Sequence, residues 1–129
     1  MRKLILILFI AITTNMLLTA CASRIAAPVG AVEDYLTALV EKDADRLPTL
    51  VCGDWEEYAL IELDSFQAVT ARLDNVSCEL TGSDGDTALV DCTGNIILTY
   101  NTEDQKLDLS VRTYQVIQEG GEWLVCGTR

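Results

Sequence analysis

The sequence predicts one α+β domain, with helices first and an antiparallel sheet after them. In the first half of the domain, apolar residues recur every three to four positions, which is the repeat of an amphipathic helix. From Phe66 onward they recur every second position, which is the repeat of a strand. A run of helices followed by a run of hairpins is typical of the α+β class, in which helices cover one face of the sheet.

The first twenty residues have the composition of a secretion signal. Arg2 and Lys3 form a positive start, and the apolar stretch after them is interrupted by polar residues and too short to cross a bilayer. Leu18-Thr19-Ala20-Cys21 then resembles the bacterial lipobox, whose cysteine accepts a lipid and becomes the first residue of the mature chain. An ordinary signal, with Ala20 before a free cysteine, is the alternative.

The leader divides the chain into three parts. We predict a signal peptide over residues 1–20, a lipidated tether over residues 21–28 and a folded domain over residues 29–129. The lipid on Cys21 would hold the domain to a membrane of the cell envelope, on its extracytoplasmic side. Membrane contact is therefore expected through the lipid.

Charge and residue content exclude several classes of function. The full chain has a formal net charge of −11. Because the leader holds two of the nine basic residues and none of the twenty acidic ones, the remainder carries −13. A surface this acidic repels phosphate backbones, so we expect no nucleic-acid partner. The chain has no histidine, the commonest general base and metal ligand, and we predict neither a cofactor nor a metal.

The helical part of the domain divides into three segments. The first helix has Pro28 near its start and acidic residues in its first turn, which suits the helix dipole. Its core-facing positions follow the helical repeat and are Val32, Tyr35, Leu36, Leu39 and Val40. A short second helix is predicted over residues 44–51, with Asp43 as its cap, and a third over residues 54–63.

The rest of the chain is predicted to form an antiparallel meander. A change of parity near Asp74-Asn75 indicates a bulge in the first strand. The later elements are a turn at 82–86, a strand over 88–100, a polar loop over 101–106, a strand over 107–117, a hairpin connection at Gly120-Gly121 and a last strand over 123–126.

Four cysteines remain after Cys21, and in an exported protein we expect them to form two disulfides. Cys78 and Cys92 stand at equal distances from Gly85, the centre of the predicted turn, so they would lie opposite each other in the hairpin. The remaining pair, Cys52 with Cys126, would tie the helices to the last strand. The sequence lacks the closely spaced cysteines of zinc and redox motifs.

The final hairpin separates its residues into two faces. Cys126 shares a face with Leu109, Val111, Ile117 and Leu124. This is the more continuous apolar face, so we expect it to meet the helices. The outer face would then carry Arg112, Tyr114, Val116, Trp123 and Val125.

Two motifs stand near the ends of the predicted domain. They are Ala31-Val32-x-x-Tyr35-Leu36-x-Ala38-Leu39 with Lys42-Asp43-Ala44-Asp45-x-Leu47, and Tyr114-x-Val116-x-x-Glu119-Gly120-Gly121-Glu122-Trp123-x-Val125. Both resemble the nuclear transport factor 2-like (ketosteroid-isomerase-like) superfamily. The resemblance covers about residues 28–129. It implies a cone-shaped fold, with the helices packed in the concave face of a curved antiparallel sheet, as in cystatin-like and nuclear transport factor 2-like domains, and a pocket between the layers.

The resemblance implies a binding domain or an enzyme. We expect a non-catalytic domain that binds a small molecule or an envelope protein, with Tyr35, Trp55 and Tyr58 as candidate pocket residues. An isomerase or dehydratase that uses Asp64 or Asp91 with a tyrosine is one alternative, and it requires a carboxyl group in a closed pocket. A structural subunit that forms a homodimer through the outer face is another. No catalytic residue can be transferred from the superfamily to this chain.

Overall fold

The computed structural model describes residues 22–129, which form an α+β domain. Two helices pack on one face of a five-stranded antiparallel sheet. The predicted fold class and the order of helices before strands are therefore confirmed. The predicted signal peptide and Cys21 lie outside the described residues.

Helix α1 spans Ala22–Glu41 and crosses the inner face of the sheet. Four of its predicted core positions are fully buried, namely Val32, Tyr35, Leu36 and Leu39. The part of the predicted tether from residue 22 to 28 belongs to this helix, and Pro28 lies inside it. Ala22, Ala26 and Ala27 are strong helix formers, which offsets the backbone hydrogen bond that Pro28 cannot make.

A 3₁₀ turn over Leu47–Leu50 and helix α2 over Gly53–Ser65 complete the helical layer. The Asp43 carboxylate accepts a hydrogen bond from the Arg46 N–H at 3.0 Å, but this bond lies in the turn before the 3₁₀ segment, whose N-cap is Arg46, so Asp43 does not cap a helix as predicted. The 3₁₀ turn is shorter than the helix predicted over 44–51, because Pro48 would stand in the interior of that helix without an N–H to donate and is tolerated only near the start of the turn. Neither helix in residues 22–129 is long and apolar enough to span a membrane.

Five strands form the sheet. They are β1 (Thr70–Asp84), β2 (Thr87–Tyr100), β3 (Glu103–Asp108), β4 (Thr113–Glu119) and β5 (Glu122–Thr128). Their order across the sheet is β1-β2-β4-β5, and β3 pairs with the second half of β2 along the same edge that β4 uses.

The segment predicted as a polar loop contains strand β3. All six residues of β3 are exposed, so their side chains show no apolar alternation from which a strand could be predicted. The backbone of β3 instead pairs with the free edge of the long strand β2. A 3₁₀ turn over Leu109–Val111, capped by the Asp108 side chain, then separates β3 from β4 and divides the strand predicted over 107–117.

Strand β1 contains the bulge predicted near Asp74-Asn75. Its register with β2 shifts between Asp74 and Ser77, and Asn75 has a positive φ of 51°. Gly94 on β2 has a φ of 94°, and a Cβ at this position would lie 2.5 Å from the Asn75 carbonyl oxygen. Glycine is therefore required at position 94, both by its own backbone conformation and by the close approach of the bulge.

The core lies between α1 and the inner face of the sheet. The buried residues that β2, β4 and β5 contribute to it include Ala88, Val90, Cys92, Ile96, Tyr114, Val116 and Val125. The predicted outer face is therefore wrong, because Tyr114, Val116 and Val125 are fully buried on the inner side. Of its other members, Trp123 packs against the core and Arg112 reaches α2.

Both predicted cysteine pairs are joined by disulfides. The Cα atoms of Cys52 and Cys126 are 5.2 Å apart, and those of Cys78 and Cys92 are 4.0 Å apart. The pairs are separated by 74 and 14 residues along the chain. By loop entropy the longer closure stabilises the fold by about 4.5 kcal/mol and the shorter by about 3 kcal/mol. Both are large fractions of a total stability of roughly 5–15 kcal/mol.

The sequence prediction assigned the two faces of the final hairpin the wrong way round, because it did not foresee that the Cys52–Cys126 disulfide lies at the edge of the sheet. Val51 forms a parallel β-bridge with Val125, and the Cys52 N–H donates to the Val125 carbonyl oxygen at 3.0 Å. The register between β4 and β5 also shifts beside Cys126. Cys126 therefore reaches Cys52 along the edge of the sheet and does not have to face the helices.

Candidate functional site

A polar cluster lies where α1, α2 and the start of β4 meet. Its centre is the carboxylate of Glu62 on α2. The Tyr35 hydroxyl donates to Glu62 Oε2 at 2.5 Å, and Arg112 Nη1 donates to Glu62 Oε1 at 2.7 Å. Each carboxylate oxygen thus has its own donor, and the carboxylate connects both helices to the segment that leads into β4.

Tyr114 is the fourth member of the polar cluster. Its ring packs edge-on against Tyr35, with the ring centroids 6.3 Å apart and an interplanar angle of 63°. Within residues 22–129, the Tyr114 hydroxyl and the Trp55 Nε1 are buried and have no hydrogen-bond partner. Buried donors without a hydrogen-bond partner are uncommon in folded proteins.

The polar cluster contains one ion pair, in which the charge of Arg112 balances that of Glu62. Burial raises the pKa of Tyr114 to about 12. Burial and the adjacent Glu62 carboxylate also raise the pKa of Tyr35 far above its usual range. The hydrogen bond to Glu62 raises the pKa of Arg112. Tyr35, Tyr114 and Arg112 therefore keep their protons near neutral pH.

Trp55 and Tyr58 form one wall of an open recess beside this ion pair. Their rings are stacked, with centroids 5.0 Å apart and an interplanar angle of 21°. The recess has a volume of about 380 Å³, and its other lining residues are Ile61, Glu62, Ser65, Arg112 and Thr128. It therefore offers aromatic surface, one aliphatic side chain and a guanidinium to a molecule that docks from solvent.

The outward side of α2 exposes large apolar side chains. Tyr58 and Ile61 leave 61% and 62% of their surface exposed, and Leu60, which lies further around the helix, is also exposed. On the opposite side of the helix, Ala59 and Leu63 are buried in the core. The outward side is therefore not needed to fill the core of the described domain. Adjacent exposed apolar residues of this size indicate an interaction surface.

A second depression lies at the other end of the domain, near the two hairpin turns. Its volume is about 700 Å³, and its apolar lining includes Pro28, Leu80, Ala88, Ile117 and Trp123. Neither depression brings together a metal-binding group. Within residues 22–129, no three side chains of the His, Cys, Asp and Glu types are placed to hold a metal ion.

The structure places two of the three candidate pocket residues predicted from the sequence in the recess. Trp55 and Tyr58 line the recess, whereas Tyr35 is buried and meets the recess only through its hydrogen bond to Glu62. Sequence reasoning missed Glu62 and placed Arg112 on the outer face. Glu62 follows Ala59 by three positions on the buried side of α2, and an acid there requires donors. That signal indicates a site at Glu62 but does not identify its partner.

The two acids considered for catalysis do not lie in a closed pocket. Asp64 is exposed on α2. Asp91 alternates with the buried residues Val90 and Cys92 on β2, so it lies on the outer face of the sheet, where it is half-buried and one of its carboxylate oxygens is buried without a partner in the described part. No charged or polar residue among those whose burial is described is fully buried.

Neither a protein-family model nor a curated protein matches the sequence. Among solved structures, the chain is similar to the solution structure of a SEC-C motif containing protein from Rhodopseudomonas palustris. The TM-score is 0.54 at 13% sequence identity, and the match covers 81% of this chain and 78% of that chain. A likeness at this identity shows the fold alone.

This match corrects the resemblance proposed from the sequence. The structure that shares the fold is described as a SEC-C motif containing protein, and none of the comparisons identifies a nuclear transport factor 2-like domain or a lipoprotein. The resemblance was wrong because its motifs encode helix packing and a tight hairpin, which are features common to many α+β domains. The superfamily's activities therefore give no guidance for this chain.

Replacing Glu62 tests whether the polar cluster stabilises the fold. In Glu62→Gln, one carboxylate oxygen becomes an NH₂ group that faces a donor and cannot accept from it. Because Arg112 is 39% exposed and Glu62 22% exposed, solvent screens part of the loss, and we expect the free energy of unfolding to fall by about 1–2 kcal/mol. Urea unfolding measures it.

The matched control is Asp34→Asn. The Arg46–Asp34 ion pair has the same 2.7 Å N···O distance, but both of its side chains are exposed. Its loss is expected to change the free energy of unfolding by no more than about 0.5–1 kcal/mol. Equal losses in the two variants would contradict a special role for Glu62.

Tyr114→Phe tests the raised pKa of the buried tyrosine. A tyrosine with a raised pKa in the folded state keeps its proton there, while the unfolded chain loses it above about pH 10. The stabilising contribution of Tyr114 is therefore complete below pH 10 and is lost as the pH rises toward 12. As the pH rises through this interval, the free energy of unfolding of the wild-type chain should therefore fall by up to about 2–3 kcal/mol more than that of the variant.

Urea unfolding at pH 8 and pH 11.5 makes this comparison. At pH 8, Tyr114→Phe should be close to wild type, because the hydroxyl it removes has no partner. Tyr100→Phe is the control, since Tyr100 is exposed. If the three proteins lose the same stability between the two pH values, the explanation for Tyr114 is wrong.

Proposed function

We propose that this protein is a non-catalytic binding domain that works on the extracytoplasmic side of the cell envelope. The observation that carries the proposal is the outward side of α2, with Tyr58, Leu60 and Ile61 exposed beside the recess. Tyrosine and arginine are enriched among the residues that dominate binding energy at protein interfaces, and Tyr58 and Arg112 both line this recess.

The polar cluster supports binding over catalysis. Its one carboxylate, Glu62, is already held by two donors. A general base needs a carboxylate that is free to accept a proton from a substrate, in a site that excludes water. The recess is open, and Asp64 and Asp91 are not inside it. We therefore give the isomerase or dehydratase alternative no role in the proposal.

The extracytoplasmic location is supported by the two disulfides and by the leader sequence. Disulfides form and persist in oxidising compartments and are rare in the cytosol. The two bonds join residues that are 74 and 14 positions apart, so they close a large part of the described chain into covalent loops.

Site-specific photo-crosslinking in the cells that make the protein tests the proposed function. A benzophenone amino acid at position 58 should form a discrete crosslinked product after irradiation, because Tyr58 lies on the binding surface. The same amino acid at position 100 is the matched control. Tyr100 is 59% exposed, nearly as much as Tyr58, but lies at the far end of β2.

The product should be seen by mass spectrometry from position 58 and not from position 100. It should also disappear when Ile61→Ser is added, since this substitution removes an exposed neighbour without entering the core. Identical products from both positions, or none from position 58, would contradict the proposed binding surface.

A further inference from the structure

We propose that the partner of this domain is a basic amphipathic segment of another protein, which docks along the outward side of α2. The inference rests on the proposed function and specifies the chemistry of the partner. It depends on three properties of α2: the exposed apolar side chains, the carboxylates that border them, and the lack of basic residues.

The apolar part of the surface is a short stripe. Ile61 follows Tyr58 by three positions, so the two side chains lie on the same side of α2 one turn apart, and Leu60 is exposed about 100° around the helix from Ile61. Leu60 and Ile61 also line a shallow groove of about 600 Å³, which begins at Gly53. An amphipathic helix that docks in a groove inserts apolar residues spaced three or four positions apart. Tyr58 and Ile61 are themselves three positions apart, so the stripe matches about one turn of such a helix.

Carboxylates border this stripe. Glu57 and Asp64 lie one turn before Leu60 or Ile61 and one turn after them, and Glu56 completes the lining of the groove. No ion pair holds any of these three carboxylates within residues 27–129, in contrast to Glu62. Helix α2 contains five acidic residues and no lysine or arginine.

The charge of the surface selects among possible occupants. An anionic membrane would be repelled by these carboxylates and by the net charge of −11. A second copy of the chain would bring the same acidic groove against itself, which also costs energy. A segment with apolar residues on one side and lysine or arginine around them can pack its apolar side chains on Leu60 and Ile61 while its positive charges face the bordering carboxylates.

Direct binding to a synthetic peptide tests this inference. The probe is a fluorescent 14-residue peptide of leucine and lysine with the leucines at helical spacing. Its two controls are a peptide of the same composition in scrambled order and a peptide with glutamate in place of lysine. Fluorescence anisotropy is measured with the chain as it is recovered from the cells that make it.

The patterned basic peptide should bind more tightly than either control, and its affinity should fall with added salt. Ile61→Ser should weaken binding at least about fivefold, the size of effect expected for a contributing interface residue. Val111→Ser is the matched control, because Val111 is 73% exposed on a different segment and should leave binding unchanged.

The carboxylates have their own pair of variants. Glu57→Gln should weaken binding about twofold and reduce its salt dependence, because it removes one charge from the rim of the groove. Glu122→Gln removes an exposed charge from the distant β4–β5 hairpin and should have no effect beyond a slight change in net charge.

Equal binding of the patterned and scrambled peptides, or insensitivity to Ile61→Ser, would overturn the inference. So would binding to anionic phospholipid vesicles, or dimerisation that depends on Ile61 in light scattering, since either assigns the groove to another occupant. If position 58 forms its crosslink in cells while the basic peptide fails to bind, the binding function stands and the proposed partner chemistry is wrong.

Discussion

The position of α2 depends on one junction at the edge of the sheet. There Val51 pairs with Val125, the Cys52 N–H donates to the same strand, and the Cys52–Cys126 disulfide closes the contact covalently. Helix α2 begins one residue after this junction and buries only a narrow stripe of its own. Its N-terminal end is therefore held by the junction, and its C-terminal half is held by the bond between Glu62 and Arg112.

This arrangement separates the stabilising contacts of α2 from the binding surface that we propose on the same helix. The inward side of α2 carries Ala59, Leu63 and the Glu62 carboxylate, which hold it to the core and to the segment before β4. Its outward side has no such role in the described domain, so Tyr58 and Ile61 can be exposed at little cost to the fold. A surface positioned rigidly from behind loses little conformational entropy when a partner binds, which favours affinity.

Patterns along the chain predicted most of the elements and both disulfides, but not strand β3 or the face of the sheet that meets the helices. The helical repeat of α1 and the bulge at Asn75 could be predicted, because each produces a recognisable pattern over a few neighbouring residues. The pairing of Cys78 with Cys92 was also correct. The hairpin turn itself is offset by one residue from the predicted centre, since it pairs Asp84 with Thr87, and a second register shift beside Leu80 then brings Cys78 opposite Cys92. Strand β3 could not be predicted, because it is held by backbone pairing with β2 and has no side-chain pattern of its own. The face on which Tyr114 lies could not be predicted either, because it depends on where the segment with Cys52 joins the edge of the sheet.

Amide hydrogen exchange of residues 53–65 tests most directly whether the junction positions α2. It is measured in a Cys52→Ala/Cys126→Ala variant and in a Cys78→Ala/Cys92→Ala variant, which removes the other disulfide and leaves the junction intact. The account predicts that protection of α2 falls at least about tenfold more in the first variant than in the second, while β1 and β2 remain protected in the first. Equal protection of α2 in both variants would contradict it.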